Sequence, residues 1–78
     1  MPFRPVAAAA NSRKLLGETI RAYRESAGMS QEKLAEIADL SRNFIGAVER
    51  GEDTLSVEAL IRIAKALKVR VRDLVADI

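Results

Sequence analysis

Three times between Met29 and Leu60 the same device recurs: an apolar residue, a serine, and a second apolar residue four places beyond the serine. The three instances are Met29-Ser30 with Leu34, Leu40-Ser41 with Ile45, and Leu55-Ser56 with Leu60. A serine oxygen in that position can accept from the orphan N–H groups of a first helical turn. The flanking apolar pair then staples the turn and fixes the angle at which the chain arrives. Three such starts in a chain of 78 residues leave little room for anything but short helices. They predict helix 2 at about 31–38, helix 3 at about 42–50 and helix 4 at about 57–67.

The remainder of the chain agrees. Leu16, Ile20, Tyr23 and Ala27 follow the spacing of one helix face, and Gly28 supplies a stop that tolerates left-handed backbone, so helix 1 is expected from Asn11 or Ser12. Helix 4 carries an apolar stripe of Val57, Leu60, Ile61, Ala64 and Leu67, with its inward face expected there. Gly51 ends helix 3. The tail begins with strand-like alternation, yet Val71, Leu74, Val75 and Ile78 also satisfy helical spacing. A lone strand would have no partner, so a fifth helix is expected. Both prolines lie in the first five residues, and residues 1–11 lack periodicity, which marks them as a flexible N-terminal arm ahead of one domain over 12–78. The expected fold is all-α, a compact bundle of five short helices.

Composition narrows the function. There is no cysteine and no histidine, which removes the thiolate nucleophile, the usual general base and the commonest metal ligands. The serines are occupied as caps, the carboxylates are scattered, and no Gly-rich phosphate loop is present, so neither an enzyme nor a cofactor is expected. No stretch has the apolar length of a membrane span, and a cytoplasmic protein is expected. A net charge of only +2 does not announce nucleic acid, so any such reading must come from where the charges sit.

Helix 3 is where their placement is informative. Only Asp39-Leu40-Ser41 separates it from helix 2, a turn of helix-turn-helix length. At about 100° per residue, Arg42, Asn43, Gly46, Ala47 and Arg50 fill one arc of roughly 140°, opposite Ile45, Val48 and Glu49, with Phe44 near the boundary. Such an outward face suits the major groove of double-stranded DNA. Arg can bond guanine in bidentate fashion, Asn can do the same with adenine, and an Ala methyl can meet the thymine methyl. Gly46 costs about 1 kcal/mol against Ala in a helix interior, which close approach of a base edge would explain.

Taken together, Ser30-Gln31-Glu32-Lys33-Leu34-Ala35, Leu40-Ser41-Arg42-Asn43-Phe44-Ile45, Glu49-Arg50-Gly51 and Ile63-Ala64-Lys65-Ala66-Leu67 resemble the lambda-repressor-like, Cro/C1-type helix-turn-helix regulators. The resemblance covers about residues 15–75 and is nearest to the small stand-alone members, including restriction-modification controller proteins. It implies that Gln31 holds a phosphate at the start of helix 2. It further implies that Ser41, Arg42, Asn43, Phe44, Gly46 and Ala47 lie at the DNA surface, and that Arg50 contacts the backbone. Arg24 and Glu49 match a family ion pair. Asp39 and Lys68 stand where the family usually has Gly, and the loop Glu52-Asp53 is acidic where many relatives are basic. The expected function is sequence-specific binding of a near-palindromic operator as a homodimer, with Val71, Leu74, Val75 and Ile78 at the dimer interface. The alternative is a protein-interaction module of the same fold, for which the cationic face of helix 3 is poorly suited.

Overall fold

A computed structural model describes residues 6–78, with side chains from Asn11 onward. Five helices follow in order: α1 (Val6–Ser26), α2 (Gln31–Ala38), α3 (Arg42–Glu49), α4 (Val57–Leu67) and α5 (Val71–Leu74). All three serine devices operate as the sequence implies. Ser30 Oγ accepts from the Lys33 N–H at 2.9 Å, Ser41 Oγ from Phe44 at 3.0 Å and Ser56 Oγ from Ala59 at 3.0 Å. Met29, Leu40 and Leu55 pack against the core ahead of each cap.

Helix 1 begins at Val6 rather than at Asn11 or Ser12, so residues 6–11 of the expected arm are helical. Ala7–Ala10 have the highest helix propensity of any residue and extend the helix upstream. Met1–Pro5, the rest of that arm, lie outside the described residues. At the other end Ala27 has left the helix and is exposed, while Leu16, Ile20 and Tyr23 face the core as expected.

The core is built around Ile20, Leu34, Ile45, Ile63 and Leu74, one fully buried side chain from each helix. Helix α3 packs on α1 and α2, α4 on α2, and α5 closes the gap between α4 and α1. The face of α4 is rotated from the expected one. Its buried residues are Ala59, Ile63, Ala64, Ala66 and Leu67, whereas Val57 is 74 % exposed and Ile61 39 %. The helix is apolar on most sides, so periodicity alone did not select a face. Packing did: α2 and α4 approach through small side chains, with Ala38 and Ala66 flanking one cleft.

Two helices end on a non-glycine residue in left-handed backbone, Asp39 at φ 57° and Lys68 at φ 59°. In each the following N–H returns to a carbonyl of the last turn, Leu40 to Ala35 at 2.9 Å and Val69 to Ala64 at 3.0 Å, which satisfies otherwise orphaned acceptors. Helix α5 is a single turn. The Asp73 carboxylate accepts from the Arg70 N–H at 2.9 Å to start it, and at Val75 the backbone leaves helical values. The expected run to Ile78 is therefore cut short. Leu74, expected at a dimer surface, is wholly inside its own protomer, because the bundle needs one large side chain to fill the space between α1 and α4.

Candidate nucleic-acid interface

Helices α2 and α3 meet across the three-residue turn Asp39-Leu40-Ser41, with α3 presenting one face inward and one outward. Ile45 and Val48 point to the core, and Phe44, expected at the boundary, packs against the core as a half-buried side chain. Arg42 and Asn43 are exposed at the first turn, and Ala47 is half-buried one turn further on. Ser41 spends one lone pair of its oxygen on the cap, which leaves its hydroxyl proton available to donate.

Gly46 departs from the expected open position: it is buried. A Cβ placed on it would lie 3.1 Å from Arg50 Nη1 and 3.7 Å from Gln31 Oε1. Two polar side chains, one from the start of α2 and one from the end of α3, thus converge over this glycine. The close approach that Gly46 permits is made by the protein's own Gln31 and Arg50, and no base edge is needed to explain it.

Each of those side chains is held by a carboxylate. Glu49 is almost completely buried and takes a bidentate bond from Arg24, Nε to Oε2 at 2.7 Å and Nη2 to Oε1 at 3.0 Å. Arg24 Nη1 also donates to the Met29 carbonyl at 2.8 Å, tying α1 to the loop before α2. The same Glu49 Oε1 accepts from Gln31 Nε2 at 3.0 Å. One amide proton of Gln31 is thereby engaged, and the other remains free to donate outward beside the N-terminus of α2. Hydrogen bonding to Glu49 raises the Arg24 guanidinium above its ordinary value, with burial opposing and the charge of Glu49 adding to the rise. A buried ion pair of this kind is poor evidence of net stabilisation against an apolar substitute, but it fixes geometry, and loss of one partner strands the other.

Arg50 is treated differently. Its Nε donates to Glu52 Oε1 at 3.0 Å, in a pair that is about three-fifths exposed on both sides. The two features that sequence reasoning missed here are the engagement of Gln31 by Glu49 and that of Arg50 by Glu52. The resemblance supplies Arg24 as the partner of Glu49, but nothing local shows that Glu49 also takes the amide of Gln31 or that the exposed Glu52 takes Arg50.

Gly17 sets the distance between α1 and α3, and nothing in the sequence pattern singled it out. A Cβ there would fall 2.7 Å from the Glu49 carbonyl oxygen and closer still to that of Val48. Among the described residues no three His, Cys, Asp or Glu gather as a metal site, and no helix is long and apolar enough to cross a membrane.

A helix-turn-helix with a capped second helix, a cationic and amide-bearing outer face and a buried ion pair behind it defines the class, and the chain belongs to the helix-turn-helix family, whose profile matches residues 20–74. Within that family it is similar to the control protein C.SmaI of Serratia marcescens, 46 % identical over 59 residues that span 76 % of this chain and 70 % of the relative. It is 45 % identical to the control protein C.BamHI of Bacillus amyloliquefaciens over 65 residues, 82 % of this chain and 80 % of that one. Among solved structures it superposes on the restriction-modification controller protein C.AhdI from Aeromonas hydrophila with a TM-score of 0.81 at 34 % identity, covering 82 % of this chain and 97 % of the other. The ion pair between Arg24 and Glu49 that the family resemblance implies is present.

Proposed function

We propose that this chain is a sequence-specific DNA-binding transcription regulator that lowers α3 into the major groove. The observation that carries this reading is the outer surface of α3, where Arg42 and Asn43 are exposed on the first turn while Gln31 and Arg50 flank the same face. Arg42 and Asn43 have the chemistry to read guanine and adenine edges. Gln31 at the start of α2 and Arg50 at the end of α3 have the chemistry to grip phosphate on either side. Similarity to two control proteins and to a restriction-modification controller supports a place among regulators of that kind, acting in the cytoplasm.

The working unit is a homodimer on a near-palindromic site. One copy reaches few base pairs, so two recognition helices about 34 Å apart give the selectivity that a monomer lacks. With Leu74 inside the protomer, the surface left for the partner consists of Ile78, 48 % exposed, beside the half-buried Val71 and Val75, together with Val57 and Ile61 one turn apart on α4. Ile78 lines a groove with Leu16, Leu55 and Leu60.

Selection of bound sites from random duplexes tests DNA binding and symmetry together. Arg42→Ala is expected to cost about 1 to 3 kcal/mol on the selected site and to relax preference at one base pair, whereas Gln31→Ala weakens all duplexes alike. Unchanged binding in both variants would refute the assignment of α3. For the dimer, sedimentation equilibrium of the wild type and of Ile61→Glu is decisive: a monomeric wild type removes the dimer, and a dimeric variant moves its interface.

A further inference from the structure

The acidic loop after α3 does something more specific than lower the charge of the site. Arg50 lies at the α3 C-terminus with its Nη1 over Gly46, on the same face as Arg42 and Asn43, and its Nε is bonded to Glu52 at 3.0 Å. We propose, resting on the reading of α3 as a DNA-binding helix, that Glu52 competes with DNA phosphate for Arg50 and so limits the sequence-independent part of the grip.

The contrast with Glu49 carries the argument. Glu49 is buried, holds Gln31 through a partly buried bond, and leaves a proton of the amide free for an outside acceptor. Glu52 is exposed and takes the arginine's own charge. An exposed ion pair is worth no more than about 1 kcal/mol, so a phosphate can displace it, but the exchange yields little because one anion replaces another. An arginine already neutralised also displaces less of the counterion atmosphere than a free one. After exchange the released carboxylate lies near the phosphate it gave way to, and the two repel. The side chains of Arg42 and Asn43 make no hydrogen bond or ion pair among the described residues, so base reading is not taxed in this way. Glu52 thereby shifts the balance of binding from phosphates towards bases.

The test uses the full chain and a random-sequence duplex of about 30 base pairs, because phosphate contact does not depend on sequence. Glu52→Gln is expected to tighten binding about three- to fivefold at low salt. It should also steepen the slope of log K against log salt by about 0.9, the equivalent of one more phosphate contact. Glu58→Gln, which removes the same charge from the exposed pair with Arg62 on α4, is the matched control and should change neither. In an Arg50→Ala background the effect of Glu52→Gln should disappear. An unchanged or weaker Glu52→Gln, an equal gain from Glu58→Gln, or a gain that persists without Arg50 overturns the inference while leaving the DNA reading intact. Failure of the wild type to bind the duplex at low salt overturns both.

Discussion

Replacing Gly17 by Ala is the sharpest test of how α1 and α3 are held together. In an open helix this change stabilises, because Ala has the better propensity by about 1 kcal/mol. Here the new methyl would stand 2.7 Å from the Glu49 carbonyl oxygen and 2.9 Å from its carbon, where ordinary contact begins at 3.4 Å. Those are backbone atoms of α3 and cannot rotate aside, so the two helices must separate. Overpacking against a rigid neighbour costs up to about 3 kcal/mol, which leaves a net loss of about 2 kcal/mol after the propensity gain. For a domain whose whole stability is on the order of 4 to 12 kcal/mol that is a large share. Melting followed by circular dichroism at the helical band should show the midpoint fall by about 10 °C. The bond from Gln31 to Glu49 should loosen with it, since Glu49 rides on the displaced segment. A midpoint equal to or above that of the wild type would mean that α1 and α3 are not in the contact described, and the reasoning would be wrong.

Gly46→Ala is expected to do the opposite in stability: its methyl meets only the far ends of Arg50 and Gln31, so melting stays level or rises by a few degrees while duplex affinity falls about threefold as Arg50 is pushed aside. Arg24→Ala leaves the Glu49 carboxylate buried without its cation and should cost about 3 to 5 kcal/mol in denaturant unfolding. While Glu49 is ionised, the contribution of Arg24 is fully present below the ordinary guanidinium range, and because its pKa is raised that contribution is lost only on deprotonation in strong alkali. Asp39→Gly and Lys68→Gly relieve left-handed backbone at two helix ends and should each stabilise by about 0.5 to 1 kcal/mol, measured as a shift in the unfolding midpoint with unchanged denaturant slope.

What was legible in the sequence was what is written locally. The starts of α2, α3 and α4 depend on a serine and two apolar residues within six positions, and the bonds from Ser30, Ser41 and Ser56 form where that pattern puts them. The outer face of α3 was legible for the same reason, since Arg42 and Asn43 need only helical periodicity to be placed. Relations between distant segments were not legible. Ile63 rather than Ile61 faces the core because small residues on α2 and α4 set the rotation of α4, and periodicity offers both. Gly17 meets α3 across 31 positions of sequence, Leu74 turns inward because a gap between two other helices awaits it, and Gln31 finds Glu49 across 18 positions. Helix 1 ran longer than expected because the alanines upstream carry propensity without any pattern of burial.

The position of Gly46 under Arg50 and Gln31 has a consequence for how such a protein can change its target. Arg42 and Asn43 stand clear of the core and of the network behind it, so either can be exchanged for another polar residue without disturbing the bundle. Gly46 cannot be recruited as a third letter so easily, because even a methyl there presses on Arg50 and a larger side chain must displace both Arg50 and Gln31 from the outer face of α3. New preferences should therefore accumulate at the first turn of α3 and stall at its middle. A library randomised at 42, 43 and 46 would reveal this as freely diverging specificities at the first two positions and a persistent return to glycine at the third.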